Sequence, residues 1–293
     1  MNGRSGKNQH SGKQDGSGVS RLRPNPGSAE GANAAGGSKP EVLFEDNHVL
    51  VCIKPPGILS QSDISGDPDQ LSIVREYIRI VRNKLGNVYL ALLHRLDRST
   101  GGLMVFALTS KAAGRLSEAF KKRLVTKRYL ALVPFSLQES LSRLGGLEGE
   151  LVDVYRKDEK SKMAVACPAN HPEAKEARLK FRILNEDTEN VAAGFLSNST
   201  DSSSSRAASR QTLSQPGFTV IQIELLTGRF HQIRFQLSKR GLPLCGEAKY
   251  ADQGLPDFRL GLWAYQLKFP HPIQGQCEFE AMPSAQWWAE RLC

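Results

Sequence analysis

The sequence predicts an α+β fold. Unbroken or alternating apolar runs at Val49–Ile53, Leu103–Leu108, Lys127–Val133 and Phe218–Leu225 read as strands. Apolar residues at helical spacing over 71–84 and 110–123 read as amphipathic helices. Charged and apolar stretches alternate between Glu148 and Leu184, as in short strands of a mainly antiparallel sheet. With 293 residues and 40% hydrophobic content, the chain can bury a sizeable core.

Taken in order, residues 1–39 hold almost no large apolar side chain and cannot offset the entropy of ordering. They are expected to form a disordered basic tail, with Arg4, Lys7, Lys13, Arg21, Arg23 and Lys39 against Asp15 and Glu30. The tail lacks the apolar face of an organelle transit peptide. The remaining 40–293 are expected to form one folded domain. Its opening, Val42–Phe44, turns at Asp46-Asn47 into Val49–Ile53, and Lys54-Pro55-Pro56-Gly57 ends the second strand. Ile73, Val74, Tyr77, Ile78 and Val81 stripe the first helix, while Arg75, Arg79 and Arg82 suit a solvated face. Ser110 is expected to cap the second helix, whose stripe is Ala113, Leu116, Ala119 and Phe120. In the strand at Lys127–Val133, Tyr129, Ala131 and Val133 share a face. Ser-rich residues from about 187 to 216 suit a disordered surface insertion. Thr227 is expected to cap a helix that stops at Gly241. At about 100° per residue, Arg234 falls at the margin of that helix's apolar face.

A net charge of +9 and a pI near 9.4 point to a polyanionic partner. No apolar run approaches the roughly 18 residues that span a bilayer, and no signal-peptide core opens the chain. The five cysteines form no Cys-x-x-Cys pair, so neither zinc nor a disulfide framework is expected. An intracellular protein, cytoplasmic or organellar (mitochondrion or plastid), follows as the expectation.

The chemistry concentrates in His94-Arg95-Leu96-Asp97-Arg98-Ser99-Thr100-Gly101-Gly102, just before the apolar strand at Leu103. Charged groups at the mouth of a buried strand sit where a rigid sheet positions catalytic loops. Asp97 and Thr100 could also simply cap a turn. A kinase catalytic loop is excluded, because the chain has no phosphate-cradling Gly-rich loop and no Asp-Phe-Gly. The stretch resembles the His-Arg-Leu-Asp signature of RluA-class RNA pseudouridine synthases. Lys127-x-Tyr129-x-Ala131 resembles that family's second motif, and Thr227-Gly-Arg-x-His231-Gln-Ile-Arg234 its third. Four positions depart from the pattern: Gly101 for Ser, Gln236 for His, Glu247 for Asp and Trp263 for His.

The resemblance, running from about Glu41 to Pro283, implies a pseudouridine-synthase fold: a long mixed, mostly antiparallel sheet crossed by a central RNA-binding cleft. It implies isomerisation of specific uridines in ribosomal or transfer RNA, with no cofactor, no metal and no membrane, by a monomer. Asp97 would be the catalytic carboxylate, Arg234 its cation, and Tyr129 the ring that stacks on uracil and helps remove the C5 proton. Arg95 would fill the gap left by a flipped base, and His94, Arg229, His231 and Gln232 would meet the RNA. Two other readings compete. A non-catalytic RNA-binding protein would have no use for a carboxylate facing phosphates, and a metal-dependent nuclease would need further carboxylates converging on Asp97.

Overall fold

The computed structural model describes residues 39–184, 217–251, 260–284 and 286–287. Residues 1–38 of the expected tail, and the whole insertion at 187–216, lie outside the described residues.

The opening hairpin forms as the sequence suggests, β1 (Glu41–Glu45) against β2 (Val49–Lys54). Its turn is closed by Asp46 Oδ1, which accepts from the His48 and Val49 amides at 2.7 Å each. Helix α1 (Gln70–Val81) is capped by the Asp69 side chain and buries Val74 and Ile78. Val81, expected in the apolar stripe, is exposed at the last residue of the helix. Short β3 (Ala91–Leu92) leads into the Asp97 loop, and β4 (Gly101–Ala107) is buried along its whole length. Helix α2 (Ser110–Lys121) starts one residue earlier than expected: its cap is Thr109, whose side chain accepts from the Ala112 amide, and Ser110 is the first helical residue.

Strand β5 (Thr126–Val133) is followed by α3 (Leu137–Leu144), an element absent from the expectation. Ser136 and Glu139 form a reciprocal capping box there, and Gly145 takes the left-handed conformation that ends it. The Ser-x-x-Glu spacing was the signal for this helix. Strands β6 (Glu148–Asp158), β7 (Met163–Ala166), β8 (Lys175–Leu184) and β9 (Thr219–Leu225) follow. After β9 come α4 (Gln232–Ser238), β10 (Leu262–Pro270) and β11 (Gln276–Glu280).

Among the described residues the strands join in one mixed sheet of eleven, with the main path β1-β2-β4-β10-β5-β9-β8-β6-β7. Every strand pairing is antiparallel except β4 with β10. The sheet is covered on both faces. Leu50, Met104, Phe106, Tyr129, Ala131 and Val133 point to the side that carries α1 and α4. Their neighbours Val49, Val51, Leu103 and Val105 pack on α2 through Ala112 and Leu116. The period-two alternation along β5 is thus realised, with Leu130 and Leu132 facing the opposite way. Among the described residues, no helix is long and apolar enough to cross a membrane.

Candidate active site

The parallel pairing of β4 with β10 sets the position of Asp97. Gly101 and Gly102 pair with Trp263 and Ala264, so the Asp97 loop emerges in the middle of the sheet. Gly102 has φ +118°, and a Cβ there would run into the Ala264 backbone. Only glycine allows this approach. The loop is then strapped to the turn after β2. Lys54, completely buried, donates from Nζ to the carbonyls of Pro55 (3.0 Å), Ile58 (2.7 Å) and Arg98 (3.1 Å). Burial pulls its ammonium down to about 7, with the Asp97 charge acting the other way. Ser60 Oγ donates to Leu96 O and accepts from Leu96 N, and the Gly57 amide donates to Arg98 O. Lys54 and Ser60 carry no chemistry in a linear reading. Their role exists only once the two loops are adjacent.

Asp97 is partly open to solvent and faces two groups from the Thr227–Gly241 segment. Arg234 Nη1 and His231 Nε2 both lie 3.9 Å from Asp97 Oδ2. The placement of Arg234 corrects the helical-wheel expectation. It is 1% exposed and interior, because α4 is buried on every side from Gln232 to Leu237. Its fork is committed to Glu247, with Nε to Oε2 at 2.8 Å and Nη2 to Oε1 at 2.6 Å, and only Nη1 is turned to Asp97. Glu247 is itself fully enclosed and also accepts from the Lys249 amide. A buried guanidinium needs such an anion to be tolerable.

The segment before α4 is a loop and not the helical turn expected from Thr227. Thr227 Oγ1 accepts from the Arg178 amide and bonds Gln232 Oε1, so its hydroxyl ties the loop to β8. Helix α4 begins only after His231, whose φ is +50° and which supplies no side-chain cap. It ends as expected: Leu242 N donates to Leu237 O and Gly241 N to Ser238 O, with Gly241 at φ +73°, a Schellman stop. Gln232 braces the loop from within. Its Oε1 takes Thr227 and the Arg229 amide, and its Nε2 gives to Arg178 O and Gln236 Oε1. Gln236 passes the chain on to Asp153 Oδ2, which also receives Arg240, while Lys239 bonds the other oxygen.

Tyr129 lies on the central strand β5, nearly buried, and its hydroxyl makes no hydrogen bond to a described residue. Burial, and then the Asp97 charge, push its phenol well above the ordinary range. It therefore stays protonated, able to stack and donate but not to act as a phenolate. Asp97, Tyr129, His231 and Arg234 share the walls of a cavity of about 1080 Å³. Arg95 stands exposed on its rim, with no hydrogen bond or ion pair among the described residues. Arg229 is exposed as well, its Nε donating to Glu176 O at 3.0 Å. His94 lies deeper: its Nε2 accepts from the Val105 amide at 3.1 Å and its ring stacks on Phe120.

Both site histidines are held neutral. Burial pulls His94 down to about 3, assisted by Lys127, and burial with Arg234 does the same to His231. Tyr250 O–H accepts from the Ala164 amide, leaving its proton for His231 Nδ1 at 2.9 Å. The ring proton of His231 is thereby assigned to Nε2, the side facing Asp97. In the unfolded chain these histidines protonate near their ordinary value, whereas folded they resist it. The unfolded state binds more protons below about pH 6.5, so acid should destabilise the protein by about 1.4 kcal/mol per pH unit for each histidine. Urea unfolding between pH 6.5 and 5 measures this slope. His231→Gln should remove its share, and a flat wild-type profile would contradict the assignment.

Two of the four departures are one structural event. A Cβ at Gly101 would overlap the six-membered ring of Trp263, which fills that space and donates from Nε1 to Ala281 O at 2.8 Å. Gly101→Ser is expected to cost about 1–3 kcal/mol through overpacking. Trp263→His alone should also destabilise, and the double variant should lie nearer wild type than the sum of the two. Strictly additive losses in urea unfolding would show that the positions are independent.

The chain belongs to the RNA pseudouridylate synthase family, whose model matches residues 48–239. An uncharacterized RNA pseudouridine synthase of Mycoplasma genitalium is 30% identical over 244 residues, 79% of this chain and 64% of that protein. The dual-specificity RNA pseudouridine synthase RluA of Vibrio vulnificus is 28% identical over 236 residues, 79% of this chain and 78% of that protein. Ribosomal large subunit pseudouridine synthase C of Buchnera aphidicola is 28% identical, matching 79% of this chain and 62% of that protein. The chain thus spans less than two thirds of the length of some of these relatives. The fold is similar to that of human RNA pseudouridylate synthase domain containing 4, with a TM-score of 0.59, 20% identity, and 86% and 91% of the two chains covered.

Proposed function

We propose that this protein is an RNA pseudouridine synthase that isomerises specific uridines of ribosomal or transfer RNA to pseudouridine, acting as a monomer and without a cofactor. The observation that carries the reading is the grouping of Asp97, Arg234, His231 and Tyr129 in one cavity within the family-matched region. The reaction breaks the N1–C1′ bond of uridine, turns the base and joins C5 to C1′. The C5 proton leaves, and N1 carries a proton in the product, so nothing is gained or lost. Asp97 acts at the sugar, as nucleophile or as base. Arg234 keeps a positive charge 3.9 Å from it, and neutral His231 turns an N–H to the same oxygen. Tyr129 stacks on the uracil and its phenol hydrogen-bonds during loss of the C5 proton. Arg95, exposed on the rim, takes the place of the extruded base, whose flipping costs a few kcal/mol. Gln232 serves by holding the Thr227–Arg229 loop, since all its polar atoms are engaged within the protein.

The test is site-resolved pseudouridine mapping of total RNA from cells with and without the protein. One or more defined uridines should lose the modification and regain it on re-expression. Identical maps would overturn the reading.

A further inference from the structure

A second cavity of about 420 Å³ adjoins the first and shares with it Phe120, Lys127, Leu225, Gly228 and Arg229. Its walls also carry Lys121, Arg123 and Arg178, with Glu224 as the acidic member. That carboxylate is tied to Arg128 at 2.8 Å, and Arg178 is occupied by Glu176 at 3.1 Å. Lys127 differs from both. It lines the two cavities, its ammonium makes no hydrogen bond or ion pair with a described residue, and burial alone pulls it down from its ordinary value.

His94, which lines the large cavity with it, carries another donor without an acceptor. His94 Nε2 accepts from the Val105 amide, so the ring proton is on Nδ1, and that buried atom has no partner among the described residues. The Lys127 charge is felt at the His94 ring. Across the cleft, Gly228 leaves the ammonium room, since a Cβ there would stand 3.1 Å from Lys127 Nζ. Lys127 thus presents a desolvated cation, without a protein acceptor among the described residues, where the two cavities join.

We propose that Lys127 binds a backbone phosphate of the RNA next to the target uridine, and that the strand runs from the large cavity past Lys127 into the smaller one. Lys121 and Arg123 lie further along the same path for the phosphates beyond. The assignment rests on the reading that this chain acts on RNA.

The probe is a fluorescent single-stranded RNA of twelve nucleotides with one central uridine, titrated by anisotropy against the full-length protein over a range of KCl. Lys127→Met should flatten the slope of log Kd against log salt by about 0.7, the value of one phosphate on a single strand. Lys84→Met, which lines neither cavity, should leave it unchanged. Neutral methylphosphonate is then placed at one linkage at a time. Wild type should weaken roughly tenfold at a linkage adjoining the uridine, and Lys127→Met should weaken no further there. An unchanged slope, an equal response of both proteins at every linkage, or no RNA binding by wild type would overturn the site. Lys127-dependent binding without any pseudouridine in mapped RNA would instead overturn the proposed reaction and leave the phosphate site standing.

Discussion

Asp97→Asn is expected to abolish pseudouridine formation while RNA affinity stays close to wild type. The substitution keeps the shape and removes the charge, so it withdraws the group proposed to act at the ribose without disturbing Lys54, Ser60 or the glycines that hold the loop. Single-turnover measurement on an RNA identified by mapping gives the rate, and anisotropy gives the affinity. A rate within about tenfold of wild type would take Asp97 out of the chemistry. Retained binding with lost turnover would also dispose of the alternative in which the cleft only holds RNA.

Arg234→Ala should have the next largest effect, on stability and on rate together. It strands Glu247 in a fully enclosed position, and breaking a buried pair from one side costs about 3–5 kcal/mol. It also removes the positive charge 3.9 Å from Asp97, which makes protonation of that carboxylate easier and moves the acid limb of the rate profile to higher pH. Arg234→Lys keeps the charge but cannot reproduce the two-pronged contact with Glu247, so partial activity and intermediate stability are expected. The two effects separate in Arg234→Met/Glu247→Leu. Replacing both partners by apolar groups should restore much of the stability in urea unfolding, yet the variant should remain inactive. Recovery of the rate along with the stability would mean that Arg234 serves only the fold.

Local patterns in the chain were enough for β1, β2, β4, β5 and β9, for α1 and α2, and for the glycine stop at Gly241, because each depends on neighbours a few residues away. Strands β10 and β11 were not among those expected. The alternation of Tyr129, Ala131 and Val133 told which face of β5 is shared, since strand periodicity is a property of the backbone itself. The helical wheel failed at Arg234 for the converse reason. A wheel assumes one wet face, and α4 has none, being buried from Gln232 to Leu237. Its polar residues are satisfied by partners distant in sequence, Glu247 for Arg234 and Asp153 for Gln236.

By itself the sequence determined the α+β class, the charge that calls for a polyanion, and the residues Asp97, Tyr129 and Arg234 that carry the family likeness. Tertiary structure decided which groups meet. It divided Arg234 between Glu247 and Asp97, turned Gln232 inward as a brace, and joined the departures at Gly101 and Trp263 into a single packing solution. The reason is that hydrogen bonds and steric exclusion act over a few ångströms, between atoms whose separation along the chain, 162 residues for Gly101 and Trp263, carries no trace in local pattern.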